Sequence, residues 1–263
     1  MELQAGEGRL IAAAGLGRVL LATAVPVERD AVARAFGVLS SQPDEAVLGA
    51  AAGPAHPFRP GGTTAHGWAE VIAVGVGPAL AAACTGSVLT AAALQGSPYG
   101  LVVSAGIGGG FQPEAPVGSL VVADEIVAAD LGAETEDGFV PVTELGFGTV
   151  AHQPPADLVR RVADATGART GAVLTVSTVT GTAARAAALR DRHPTALAEA
   201  MEGFGVAEAA AAHGVPVLEI RAISNPVGPR DRAAWRIPDA LAALTEGFGK
   251  LAPVLESWNR HDC

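Results

Sequence analysis

Short apolar runs rich in Val, Leu and Ile alternate along the chain with longer alanine-rich stretches of helical period. The runs Arg18–Thr23, Ala69–Val76, Gly100–Ser104, Gly118–Ala123, Ala172–Thr178 and Val215–Ile223 predict strands. Several are continuously apolar, the pattern of strands buried on both faces of a mainly parallel sheet. Between them, helices are expected at Val27–Phe36, Pro78–Gln95, Pro155–Thr166, Thr182–Arg192, Met201–His213 and Pro238–Trp258. Pro78 and Pro238 stand where a helix begins, and Gly96, Gly167 and Gly214 where one ends. Such alternation predicts an α/β fold, a three-layer α/β/α sandwich around a mainly parallel, mixed central sheet.

No fixed-period repeat interrupts this order. Ser40–Gly67, rich in Pro, Gly, Ala and Ser, reads as a surface excursion, and residues 130–155 as a long loop or lid. Neither carries the composition shift of a second domain. The expectation is one domain over residues 18–258, an N-terminal extension at 1–17 and a tail at 259–263.

Composition narrows the partners. Seventeen Lys and Arg against 27 Asp and Glu leave a net charge of -10, and Lys250 is the sole lysine. A surface that negative repels phosphate backbones and offers no lysine-rich patch to membranes, so neither nucleic acid nor membrane is expected as a partner. Glu2 and Glu7 precede the short apolar patch Leu10–Gly15 where a signal peptide carries positive charge, and the cytoplasm is expected. Cys84 and Cys263 have no metal or disulfide spacing, and the histidines are scattered, so no metal is expected. No cofactor is expected either. The run Gly106-Ile107-Gly108-Gly109-Gly110 lacks the G-x-G-x-x-G spacing of a dinucleotide site, two prolines follow where its helix would run, and no P-loop occurs.

Four features fall at or just beyond predicted strands. Glu28 follows the first strand, and that glycine run follows Gly100–Val103. Met201-Glu202 precedes an apolar helix, and Ser224-Asn225 ends the last long strand. Taken singly, each has a plain explanation: a helix-dipole acid, a tight turn, a solvated helix end, an Asn-Pro turn. Taken in order, with Val117–Asp124 and Arg221–Asn225, they resemble the nucleoside phosphorylase/nucleosidase superfamily from about Arg18 to Leu255. Within it, the likeness is to bacterial nucleosidases.

The resemblance implies a nucleoside phosphorylase-like fold, a homo-oligomer, and a small-molecule nucleoside substrate cleaved at its N-glycosidic bond. It places Glu28 on the attacking water and Met201 and Glu202 on the ribose hydroxyls. Gly108 and Gly109 would lie under sugar and base, and Val179 and Thr180 against the base, although Val179-Thr180-Gly181-Thr182 departs from the common pattern. Ser224 falls beside the base-recognising position. That position is an aspartate in adenine-releasing nucleosidases and Asn225 here. An amide carries one acceptor and one donor group, matching N7–H and O6 of a 6-oxopurine such as hypoxanthine. Glu28 disfavours phosphate as nucleophile, while the adjacent Arg29 keeps phosphorolysis as the alternative. An adenine-releasing nucleosidase and a non-catalytic nucleoside sensor also remain open. Arg230, Arg232 and Arg236 beside Trp235 form a basic loop suited either to solvent or to an aromatic acid on the substrate.

Overall fold

A computed structural model of the chain describes residues 18–37 and 61–261, with the side chains of all but 61–66 and 259–261. The expected extension 1–17, most of the Ser40–Gly67 excursion with His56, and Cys263 lie outside the described residues. Strand β1 (Arg18–Thr23) leads into helix α1 (Pro26–Ala35), and β2 (Gly61–His66) and β3 (Ala69–Ala73) lead to α2 (Pro78–Leu94). Next come β4 (Tyr99–Gly110), β5 (Leu120–Ala128), β6 (Gly132–Thr135), β7 (Gly138–Pro141) and β8 (Ala151–His152). The chain then alternates through α3 (Ala156–Thr166), β9 (Arg169–Thr175), α4 (Ala183–Arg192) and β10 (Ala196–Ala200). It finishes with α5 (Gly203–Ala212), β11 (Val217–Pro226) and α6 (Ile237–His261), so the expected tail begins inside the last helix.

The sheet runs β2-β3-β1-β4-β11-β5-β9-β10. Its pairings are parallel at β3–β1, β1–β4, β4–β11, β5–β9 and β9–β10, and antiparallel at β2–β3 and β11–β5. This is the mixed, mainly parallel sheet that the apolar runs predict. Around β1 the alternation of side chains serves two helical layers. Leu20 and Ala22 join a cluster with Ala81, Cys84 and Leu89 of α2 and Phe204, Ala207 and Ala210 of α5. Val19 and Leu21 join another with Ala31 and Val32 of α1, Leu158 and Val162 of α3, and Leu244, Phe248 and Leu251 of α6.

The far half of the sheet departs from an open sandwich. β10 pairs back onto the end of β4, Glu199 opposite Gly109 and Ala198 opposite Gly110, so β4, β11, β5, β9 and β10 close into a ring. The glycines permit this. The predicted strand stops at Ser104 and treats Gly106–Gly110 as a loop, whereas the structure carries β4 through Gly110. A Cβ on Gly108 would lie 2.9 Å from the Glu199 carbonyl, and one on Gly110 would lie 2.1 Å from that of Ala115. Bare backbone therefore lets two neighbouring segments approach one strand.

β10 itself escapes sequence reading because Ala196–Ala200 is short, alanine-rich and charged at Glu199. Pairing on both edges overrides that local preference. Residues 130–155 likewise hold more than a loop: β6 and β7 form a hairpin and β8 pairs with β5. Among the described residues, no helix is long and apolar enough to cross a membrane.

Candidate active site

Glu28 sits in the first turn of α1, two residues past Pro26, where a carboxylate folds back on free backbone amides. Its Oε2 accepts from the Ala24 and Val25 N–H groups at 3.0 and 3.2 Å. Its Oε1 reaches across to β4 and accepts from the Ile107 N–H at 2.9 Å. Burial pushes the Glu28 carboxyl above the ordinary glutamate value. The Ile107 hydrogen bond and the nearby Arg221 charge counter that rise, and Glu202 adds to it.

Arg221 on β11 is the centre around which the acids gather. Its Nε donates to Glu219 Oε1 at 2.8 Å, and its Nη1 faces Glu202 Oε2 and the Ile107 carbonyl, each at 3.4 Å. Its Nη2 donates to Ser104 Oγ at 3.0 Å. Glu202 is fixed from its other side by the Gly77 N–H, which donates to Oε1 at 3.2 Å. Glu219 is fully buried, its Oε2 has no hydrogen-bond partner, and burial drives its carboxyl upward against the pull of Arg221. Three buried carboxyls thus share one guanidinium. One guanidinium cannot compensate three buried carboxylates, and burial raises the carboxyls of Glu28 and Glu219.

Two glycines make room for the cluster. A Cβ on Gly106 would lie 2.7 Å from both Glu28 Oε1 and Arg221 Nη1. One on Gly203 would fall 2.1 Å from Glu219 Oε2, which accounts for glycine directly after Met201-Glu202.

The second half of the site lies further along the same two strands. The β4–β11 register shifts between Ile223 and Asn225, leaving Ser224 as a bulged residue. Bulges re-aim side chains. Here the Ser224 hydroxyl reaches Asn225 Oδ1 at 2.8 Å and the Gly108 carbonyl at 3.2 Å, while Asn225 Nδ2 donates to the Pro226 carbonyl at 3.0 Å. Asn225 lies opposite Gly109, where a Cβ would come within 3.3 Å of Nδ2.

Asn225 lines a cavity of about 180 Å³ together with Val179, Thr180, Pro226, Arg230 and Trp235. The Arg230 guanidinium lies over the Trp235 ring at 5.2 Å, so the basic loop forms one wall of this cavity. Gly108 and Gly109 are not among its lining residues; they stand behind it as the strand beneath Ser224 and Asn225. Met201 is half-buried between β10 and Glu202.

Arg221, Glu219, Ser104 and Glu199 have no assigned role in the sequence reading. A usable signal existed for two of them: Glu219 and Arg221, two apart in an apolar strand, must share one face and cannot be buried unpaired. Ser104 and Glu199 gave none. Among the described residues, no group of His, Cys, Asp and Glu is arranged to hold a metal.

The buried acids around Arg221 and the cavity lined by Asn225 thus both lie along the paired strands β4 and β11. The chain belongs to the phosphorylase superfamily, which its residues 35–252 match, and within it to the futalosine hydrolases. It is 70% identical to the futalosine hydrolase of Streptomyces coelicolor, over 93% of this chain and 99% of that one. It is 43% identical to that of Acidothermus cellulolyticus, over 88% and 89%. Among solved structures, the futalosine hydrolase of Helicobacter pylori matches with a TM-score of 0.70 at 17% identity, covering 91% of this chain and 98% of that one. A 5'-methylthioadenosine/S-adenosylhomocysteine nucleosidase from the same organism matches equally, at 0.70 and 17%, over 91% and 99%. Likeness at that identity establishes the fold and leaves the leaving base to the residues of the site.

Proposed function

We propose that this chain hydrolyses the N-glycosidic bond of futalosine, releasing hypoxanthine and dehypoxanthine futalosine in menaquinone biosynthesis. One observation carries the reading: Glu28 is bonded to Ile107, and Asn225 stands opposite Gly109, two residues further along β4. Two residues along a strand span roughly 7 Å, so the carboxyl and the amide are anchored at neighbouring points of β4. In this reading Glu28 takes a proton from the attacking water as its oxygen bonds to C1′. The C1′–N9 bond breaks as N7 takes a proton from solvent water, and Asn225 Oδ1 accepts the new N7–H. Glu28 later returns the proton it took to solvent, so hypoxanthine leaves as the neutral base. Ser224 orients that amide. Glu202, beside Met201, accepts from the ribose hydroxyls and stabilises the oxocarbenium-like transition state. Val179 and Thr180 border the base, and Gly108 and Gly109 support it from β4.

Water is favoured over phosphate because carboxyls surround Arg221, and because Arg29 donates to Asp30 Oδ1 at 2.7 and 2.9 Å. Arg230 over Trp235 suits the aryl carboxylate of futalosine. The same reading takes residues 18–258 as one cytoplasmic nucleosidase domain. In it, copies assemble through the outer face of α2, a helix without charged residues that exposes Leu80 near its start, just after the exposed Val76, and Leu94 at its end. The deciding experiment follows hypoxanthine release from futalosine by the purified protein, with and without phosphate. Phosphate-independent release is expected. A phosphate requirement with formation of a sugar 1-phosphate would overturn hydrolysis, and binding without turnover would make the protein a sensor.

A further inference from the structure

Glu199 takes no part in the chemistry above, yet it is buried at the junction where β10 closes on β4. Its Oε1 accepts from the Thr180 N–H at 2.8 Å, and its Oε2 accepts from the Thr180 hydroxyl. Thr180 has only those two donors, so both are consumed. What remains of its polar capacity is the hydroxyl lone pairs and the carbonyl oxygen. Thr180 also lines the cavity that holds Asn225. The two walls are anchored together, because Glu199 pairs with Gly109 while Gly109 lies opposite Asn225.

We propose that Glu199 is a positioning residue that makes Thr180 an acceptor-only group on the cavity wall, and that the pair selects purines bearing a proton at N1. This rests on the base-release reading above and deepens it. A 6-oxopurine carries N1–H, a donor that meets the Thr180 acceptors. Adenine carries a bare N1 lone pair, which would face them acceptor to acceptor. Asn225 discriminates less firmly alone, since a rotated amide exchanges its donor and acceptor ends. An ionised carboxylate has no such freedom. Burial raises the Glu199 carboxyl, while the two Thr180 hydrogen bonds and the charge of Arg185 favour its ionised form and Asp130 opposes it.

The test compares kcat/KM for futalosine with that for its 6-amino analogue, which share one 5′ group. Competitive inhibition by free hypoxanthine and adenine gives the same comparison where 6-amino turnover is too slow to follow. Glu199→Gln keeps the shape but presents an amide NH2 to the Thr180 oxygen, turning the hydroxyl proton toward the cavity. The preference for the 6-oxopurine should fall about tenfold to a hundredfold. Thr180→Val should lower it similarly, and Thr180→Ser should retain it. Equal losses on both bases, or a Ser variant that behaves like Val, would overturn the proposal while leaving the hydrolase intact. If Glu199→Gln does not fold, the Val and Ser pair decides. A wild-type protein that releases no hypoxanthine from futalosine overturns this proposal and the function together.

Discussion

Glu28 Oε1 accepts the backbone N–H of Ile107 at 2.9 Å, tying the first turn of α1 to the glycine-rich end of β4 across 79 residues of sequence. That bond holds a buried carboxyl of elevated pKa where two strands bring the remaining polar groups of the site together. Glu28→Gln keeps the shape and removes the proton acceptor. Turnover should fall about 10²- to 10⁴-fold, the usual loss with a general base. In the wild type the base must be ionised, so activity declines as pH falls through its pKa. Because that pKa is raised, the acid limb of kcat/KM should lie above the ordinary glutamate range. An acid limb at the ordinary value would place the base elsewhere.

Glu28 and Arg221 both occupy the space beside Gly106 on β4. Gly106→Ala places a methyl 2.7 Å from an oxygen of one and a nitrogen of the other, and both are too buried to swing aside. Overpacking of this kind costs about 1–3 kcal/mol. The expected outcome is a lower denaturation midpoint and a kcat loss larger than that loss of stability accounts for. Unaltered kcat in a folded variant would separate the Glu28–Arg221 geometry from catalysis.

Asn225→Asp tests the leaving base. The substitution replaces the Nδ2 that donates to the Pro226 carbonyl at 3.0 Å with an oxygen that repels it, and confronts purine O6 with a carboxylate. Hypoxanthine release should fall about tenfold to a hundredfold relative to adenine release from nucleosides sharing one 5′ group. An unchanged ratio would transfer base recognition to other residues.

Glu219 gives a stability signature with a definite sign. Its folded pKa is raised by burial, so the folded state holds its proton more tightly than the unfolded chain does. Its contribution is complete below the unfolded glutamate pKa and is lost as pH rises through the folded value. Measured by denaturant unfolding at several pH values, the stability difference between wild type and Glu219→Gln should shift in favour of the variant as pH increases above the ordinary glutamate value. A difference independent of pH would mean that Arg221 cancels the burial cost and that the carboxyl titrates normally.

Much of the scaffold is legible from local pattern. The limits of β1 coincide with the run Arg18–Thr23, and Gly167 closes α3 in the left-handed conformation that its position after Thr166 predicts. The order of Glu28, Gly106–Gly110, Met201-Glu202 and Ser224-Asn225 along the chain was legible too, as was the amide at the last of them. These follow from near neighbours in sequence, because strand and helix preferences and strand-end polar residues act over a few residues.

Closure of β10 onto β4, the three acids around Arg221 and the capture of Thr180 by Glu199 arose only in the tertiary structure. A buried charge is tolerated where partners surround it, and those partners come from other elements: Arg221 reaches Ser104 across 117 positions, and Gly77 reaches Glu202 across 125. The β4 glycines show the difference directly. In sequence they resemble a loop that needs backbone freedom, whereas in the folded chain they are strand residues whose side-chain space is already taken: by Glu28 and Arg221 at Gly106, the Glu199 carbonyl at Gly108, Val227 at Gly109 and the Ala115 carbonyl at Gly110.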